Sequence, residues 1–464
     1  MTKSRFGTYM AAAIAVAGFA PSAYAFHSGG VGECEGCHTM HNSIGNAPVA
    51  REGGGALGSG VLYQGGKFLL KGSDQSSTCL SCHNQPDLAP SSYHISTDDS
   101  IFGGPNVVNP TTPPSERTPG GDFAWLKMTF TYTVRGTPQT DAGQGHGHNV
   151  VASDFNYSAD TELTHAPGNG ATAGYPATAL ACSSCHDPHG KYRRLADGAA
   201  SVKTGGLIYS SGSTGALPKN GWAVGVYRLL AGVGYQPKSL GTDGATYAFV
   251  NDSPFAVSPS SYNRDEASSA GVVAQTHVAY GSGMSEWCQN CHAAMHNDTY
   301  TSGVAGQVHP AGNGAKLTQA IVDNYNSWVS SGIAGTQGFS SLAPFEEGER
   351  TSALLAPHAV NTRTPATDIQ ATTANNVMCL SCHRAHASGF PESMRFFLEN
   401  EFMTVANATT GVAEYDGTDG LNGSEGKIHF GKTKAMTQAA YYNRPPAFFG
   451  PWARNYCNKC HAKD

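Results

Sequence analysis

Charge is scarce in this chain of 464 residues: Asp, Glu, Lys and Arg make up 13% of it, where about 25% is usual for soluble domains. Long solvated helices laced with ion pairs are therefore not expected. The formal charge of −6 argues against nucleic acid, which requires a basic footprint. Beyond the first 25 residues no run approaches the roughly 18 consecutive apolar residues that a membrane helix needs. A phosphate-binding loop, a dinucleotide fingerprint and a Ser/His/Asp grouping are all missing. Spare cysteine is missing too, because all 12 cysteines lie inside Cys-x-x-Cys-His pentapeptides, so no disulfide framework is expected.

Six such pentapeptides are present, numbered here as sites 1 to 6 in chain order. They are Cys34-Glu-Gly-Cys37-His38, Cys79-Leu-Ser-Cys82-His83 and Cys182-Ser-Ser-Cys185-His186, then Cys288-Gln-Asn-Cys291-His292, Cys379-Leu-Ser-Cys382-His383 and Cys457-Asn-Lys-Cys460-His461. This spacing is the c-type haem attachment signature. The two thiols add across the vinyl groups of one porphyrin, and the adjacent imidazole ligates its iron. Structural zinc would not require His in the fifth position of every motif. The sequence thus calls for six c-type haems with His38, His83, His186, His292, His383 and His461 as proximal ligands.

Export agrees with this chemistry. Lys3 and Arg5 form a basic start, Met10 to Ala20 is a short apolar stretch, and Ala23-Tyr24-Ala25 is a small-x-small cleavage site. Residues 1–25 read as a secretory signal, and residues 26–464 as a single hexahaem unit without clean subdivision. With 57 glycines and few amphipathic stretches, the expected fold is a multihaem cytochrome c. Coil, short helices and few strands would wrap a chain of porphyrins that serves as the core. Met128–Val134 alternates apolar residues with Thr and predicts a half-buried strand. Ile321, Val322, Tyr325, Trp328 and Val329 share one helical face, and Met394–Met403 is a second helical candidate. Residues 51–60 and 104–121, rich in Gly and Pro, read as surface loops.

The second axial ligand decides whether an iron is closed or open to substrate. Six of the 19 histidines are proximal, which leaves 13 for at most six distal places. That surplus points to bis-His ligation. His41, His189 and His386 each lie three residues past a proximal His, too close to curl onto the same iron but able to reach a neighbouring one. His296 is a weaker version of this arrangement, and His27, His94, His148, His309 and His358 complete the distal candidates. His146, His165, His277 and His429 read as surface or hydrogen-bonding residues, and Met40, Met128 and Met284 as gap-filling rather than ligating. Lys191, Arg193 and Arg194 could pair with propionates or form a solvated turn. Asp416, Asp419 and Glu425 suggest a Ca²⁺ loop only faintly, because their spacing does not fit an EF-hand.

Longer strings add a resemblance. Residues Phe26–His41, Ser91–Thr97, Cys185–Arg194, Tyr280–Cys288, His309–Lys316, Leu342–Gly348, Cys379–Phe390 and Cys457–Asp464 resemble the outer-surface hexahaem cytochromes of metal-reducing bacteria. The resemblance covers essentially the whole chain after the signal. It departs at 51–60, at 104–121 and in the extra histidines. The resemblance implies a secreted, filament-forming electron carrier whose haems are all bis-His and stacked as a continuous chain. It also implies that His41 ligates a haem of the neighbouring subunit.

The leading function is therefore electron transport with no catalytic residue, carrying electrons from other redox proteins to external acceptors such as Fe(III) or Mn(IV) oxides or partner cells. An exported multihaem reductase of a small oxyanion or nitrogen compound is the alternative; a high-spin ferric signal would favour it. A monomeric periplasmic shuttle is another, favoured by discrete particles at all concentrations.

Overall fold

The structure is a computed structural model that describes residues 34–39, 43–44, 47–48, 67–84, 94–134, 136–168, 174–189, 193–194, 202–203, 230–257, 266, 277–296, 301–302, 307–328, 338–360, 369–398, 401–419 and 430–461. All six pentapeptides fall within these residues. The signal expectation, residues 51–60, His27, Met40, His41, Lys191 and His429 lie outside them.

Short elements are strung on coil, and several of them begin where a side chain satisfies a backbone donor. Helix α1 (Gln75–His83) carries site 2, and the Asp74 carboxylate caps it by accepting from Ser77 N at 2.7 Å. Strands β1 (Phe130–Val134) and β2 (Thr137–Asp141) pair antiparallel, with Phe130 opposite Asp141. The expected alternation holds in β1, where Phe130 is buried while Thr131 and Thr133 face outward. Strands β3 (Phe255–Val257) and β4 (Ala279–Ser282) form a second antiparallel pair, and β4 runs into α2 (Met284–Cys288), which carries the first cysteine of site 4. Helix α3 (Gln319–Ser327), capped by Thr318, buries Val322 and Tyr325 on the expected face. Helix α4 (Lys434–Ala440) is capped by Thr433, whose Oγ1 accepts from Met436 N at 3.1 Å. Among the described residues every sheet has two strands, and no helix is long and apolar enough to cross a membrane.

Two expectations change. The described residues of Met394–Met403 contain no helix: Met394 bridges to His383, and Arg395 N donates to Cys382 O at 2.6 Å. Its apolar spacing instead sends Met394, Phe396, Phe397 and Met403 into a core with Trp125, Phe390, Tyr415, Phe430, Tyr441 and Phe449. The C-terminal third therefore builds an aromatic protein core together with Trp125 and Phe130, each fully buried ring contributing on the order of 2 kcal/mol.

The 104–121 stretch is a surface loop only in its first half. From Pro114 the chain turns inward, Thr118 is buried, and the adjoining Asp122 is fully so. Asp122 accepts from Thr97 N, Thr97 Oγ1, Ala124 N and Glu116 N at 2.9, 2.5, 2.8 and 3.1 Å. Asp122→Ala strands these buried donors, so a stability loss of about 3 kcal/mol or more is expected. It would be read from the urea midpoint of the purified protein.

Candidate haem-binding sites

Each pentapeptide opens on a single helical turn or the end of a helix, which brings its two sulfurs to one side. The odd-numbered sites share a further device. His38, His186 and His383 each form an isolated antiparallel bridge, to Leu70, Leu230 and Met394. In each case the residue after the bridge donates its N–H to the second cysteine's carbonyl: Lys71 to Cys37 and Ala231 to Cys185, both at 2.9 Å, and Arg395 to Cys382.

Two of these bridges follow a left-handed dipeptide, Phe68–Leu69 (φ 65° and 56°) and Glu392–Ser393 (φ 52° and 56°). Non-glycine residues adopt this conformation at a cost, and here it has a visible use. It turns the Phe68 carbonyl onto His38 Nδ1 at 2.8 Å and the Glu392 carbonyl onto His383 Nδ1 at 2.7 Å.

The even and odd sites also meet in a repeated way. Ser76 Oγ, three residues before Cys79, accepts from Cys182 N at 3.1 Å; Ser285 Oγ, three residues before Cys288, accepts from Cys379 N at 3.1 Å. The sulfurs, which stand here as thiols for the thioethers of the loaded protein, link the sites into a row. Cys79 and Cys182, and Cys288 and Cys379, are close neighbours, joining sites 2–3 and 4–5 through first cysteines. Cys37 and Cys82, Cys185 and Cys291, and Cys382 and Cys460 are electrostatic neighbours, joining sites 1–2, 3–4 and 5–6 through second cysteines.

Four of the expected distal histidines face a proximal partner. His189 lies with its ring centre 6.3 Å from that of His38, His386 6.4 Å from His186, His148 6.1 Å from His292, and His309 5.9 Å from His461. A metal held about 2 Å from each of two imidazole nitrogens separates the ring centres by roughly 6 Å, so these gaps fit a porphyrin and its iron.

The other ring nitrogen is pinned as a ligating imidazole requires. Nδ1–H donates to a carbonyl in His38, in His292 (Pro167 O, 3.1 Å), in His383, in His148 (Ala385 O, 2.7 Å) and in His309 (Pro310 O, 2.8 Å). Nε2 of each would thereby be the nitrogen available to a metal. Desolvation pushes His386 down to about 3 and His292 down to about 4, with neighbouring imidazoles adding to the shift, so both rings are neutral at pH 7.

The other described histidines have the following surroundings. His296 Nε2 lies 3.4 Å from Glu286 Oε1, and His358 Nδ1 donates to Glu347 Oε2 at 2.5 Å. His94 is buried. His146 Nδ1–H donates to Ser388 O at 2.8 Å while its Nε2 lies 3.1 Å from Asp141 Oδ1, and His277 stacks on Phe339 with centroids 3.6 Å apart. His165 forms an isolated bridge to Pro176. Met128 and Met284 are core residues, as expected of gap-fillers. Asp419 Oδ1 accepts from Lys434 N at 2.7 Å, which makes it a support for α4. Among the described residues no group of three or more His, Cys, Asp and Glu could hold a metal ion.

Sequence reasoning missed one charged feature. Glu266, Arg384, Arg395 and Arg444 are all buried beside site 5. Glu266 accepts from Arg384 Nη1 and Nη2 at 2.9 and 3.2 Å and from Arg395 Nη1 at 3.3 Å, with Arg444 Nη2 at 4.0 Å. Burial alone would raise the Glu266 carboxyl, but the three guanidinium groups overturn that and hold it below its usual range. Three cations against one anion leave Arg384 Nε, Arg395 Nη2 and Arg444 Nε buried without a hydrogen-bond partner. Uncompensated buried charge is costly, so the cluster fits an additional carboxylate such as a propionate. Pattern reading had no signal for it, because Glu266 lies 118 residues before Arg384 in the chain. Arg193 and Arg194, the expected propionate partners, pair by backbone with Val202–Lys203, their side chains lying outside the described residues.

No family model matches the chain. It is, however, 50% identical over 460 residues to the C-type cytochrome OmcS of Geobacter sulfurreducens, an alignment spanning 98% of each protein. The chain belongs to the OmcS family of c-type cytochromes. Its structure is similar to that of the OmcS nanowires solved by cryo-electron microscopy, with 48% identity, a TM-score of 0.78, and coverage of 94% of this chain and 100% of that one. A second structure, of the outer membrane cytochrome S filament from the same organism, gives a TM-score of 0.77 with the same coverage. An OmcS-family cytochrome is an electron carrier with covalently bound haem, and the mostly coil architecture with short helices and strands described above is that of the family.

Proposed function

We propose that this cytochrome carries electrons outside the cell through six bis-His c-type haems and polymerises head to tail into a conductive filament. Haem supplies the reversible one-electron step when bound; the chain's residues attach it, fix its axial ligands and close its iron to substrate. The reading is carried by one observation, the two-site repeat of bridges, serines and imidazole pairs. In that repeat each odd site borrows the His three residues past the next odd site's proximal ligand: site 1 takes His189, and site 3 takes His386. Site 5 has no further odd site in its own chain. The equivalent residue is His41 of the next copy, which would ligate the iron on His383.

Even sites follow a second rule. Sites 4 and 6 take His148 and His309, each lying upstream of the odd site that precedes them in the chain. Site 2 then takes a His preceding site 1, and His27 is the one His there. This assignment does not draw on His296, beside Glu286, or His358, bonded to Glu347.

The sulfur contacts alternate second-second and first-first along the row, so the junction from site 6 to site 1 of the next copy would join Cys457 to Cys34. Both are exposed, as is Cys82 within the row. A contact that repeats head to tail without closing gives an open filament. The Fe(III) and Mn(IV) oxides, partner cells and donor redox proteins proposed as partners need no substrate pocket, only an exposed row of carriers, and the chain acts as no enzyme in this reading. Secretion through the periplasm and a single unit over residues 26–464 belong to the same proposal.

The test is a pyridine haemochrome count together with electron paramagnetic resonance and cryo-electron microscopy of secreted material. Six haems per chain, low-spin signals alone and filaments are expected. A high-spin ferric signal in the wild type would favour a reductase, and discrete particles at every concentration would favour a monomeric shuttle. His148→Ala should turn one of six irons high-spin while leaving filaments intact, because site 4 and its ligand share one chain.

A further inference from the structure

Residues 385–388 run between two other backbone segments, residues 118–122 on one side and 146–148 on the other. On the first side His386 N donates to Gly120 O at 2.7 Å and Asp122 N to Ala387 O at 3.1 Å. On the second, His148 N donates to His386 O at 2.8 Å and Ser388 N to His146 O at 3.0 Å. Side chains tighten the same join: His148 Nδ1–H donates to Ala385 O at 2.7 Å, His146 Nδ1–H to Ser388 O at 2.8 Å, and Phe123 stacks on His386 with centroids 4.7 Å apart.

Three glycines allow this closeness. A Cβ on Gly121, whose φ is +105°, would overlap the Ala387 carbonyl; one on Gly147 would overlap the His386 carbonyl. A Cβ on Gly120 would sit 2.9 Å from His386 Nδ1, against the ring itself. Gly145, in the same loop as Gly147, has nothing within 4 Å.

We infer that Gly121 and Gly147 are positioning residues that lock His386 and His148 into one rigid frame, so that the axial ligands of sites 3 and 4 are set together rather than one by one. The inference rests on these histidines being the distal ligands of those sites. The imidazole of site 4 is held by the carbonyl of Ala385, and the peptide of that carbonyl is the one that carries His386. A shift of this strand against either flank therefore turns both rings. Outer partners of this kind fix ring orientation and basicity, and through them the iron they serve. Two neighbouring sites with a common frame are kept matched to each other in the row.

The experiment is electron paramagnetic resonance of the purified full-length holoprotein, with haem content measured on the same samples. Gly121→Ala and Gly147→Ala should each shift the g values of two low-spin signals, those of sites 3 and 4. Gly120→Ala, which touches one ring, should shift the site 3 signal alone, and Gly145→Ala should shift none. His386→Ala and His148→Ala identify the two signals, each turning one iron high-spin. If they do not, the ligand assignment fails. If they do, and Gly121→Ala and Gly147→Ala move one signal or none, the shared frame is refuted. A poorly loaded variant still decides the matter. Selective loss of sites 3 and 4 supports the frame, while uniform loss at all sites shows that the glycines serve folding in general.

Discussion

His41→Ala is expected to give a protein with its full haem content, one high-spin ferric iron, and no filaments. Covalent attachment depends on the cysteines and the proximal imidazoles, so the substitution should not reduce loading. The site 5 iron would lose its only distal ligand, because in the repeat the role played by His189 for site 1 and His386 for site 3 passes to His41 of the next copy. Changes merely in the outer shell of a metal site cost 10–100-fold in affinity. Loss of a ligand across the junction should therefore raise the concentration needed for assembly by more than about 100-fold. Negative-stain microscopy reads the filaments and electron paramagnetic resonance reads the iron. Added imidazole should return the iron to low spin without restoring filaments, because it replaces the ligand but not the link between chains. Normal filaments from this variant would sink the assignment.

Glu266→Gln is expected to destabilise the protein by about 3–5 kcal/mol, the cost of removing one partner from a buried ion cluster. Three buried arginines would face each other with no compensating anion inside the chain. Thermal unfolding of the holoprotein measures the loss. The sign of the pH dependence follows from the depressed Glu266 carboxyl. Its contribution is fully present above the unfolded value near 4.5 and is lost as pH falls through the lower folded value, so wild-type stability should fall in that acid window and the variant's should fall less. Potentials should move as well. Positive charge beside site 5 favours the reduced iron, so Glu266→Gln should raise the potential of that site and Arg395→Gln should lower it. Unchanged potentials in both variants would show that the cluster does not face the porphyrin.

The expectation of a surface loop at 104–121 failed for an instructive reason. Gly and Pro mark both exposed turns and places where two backbones nearly touch, and composition does not separate the two. Gly120 and Gly121 are of the second kind, because what lies against them is the His386–Ala387 backbone, far along the chain. The helix expected at Met394–Met403 failed similarly. Apolar spacing reports burial, and here burial is achieved by an extended segment held to His383 and Cys382.

By itself the sequence determined what is local and covalent. A haem needs two thiols and an imidazole within five residues, so covalent haem attachment is legible in six short strings. Surplus histidine pointed to closed irons, and long matching strings pointed to the family. Tertiary structure decided which imidazole meets which site, since a ring and the carbonyl that orients it can be 237 residues apart, as His148 and Ala385 are. It also decided that sites alternate in a two-site repeat with no matching sequence period, because backbone bridges and serine caps can recur on different side chains. Where the charge gathers was a tertiary matter as well: burial draws Glu266 and three distant arginines together, and no spacing rule encodes an electrostatic contact between segments that meet only on folding.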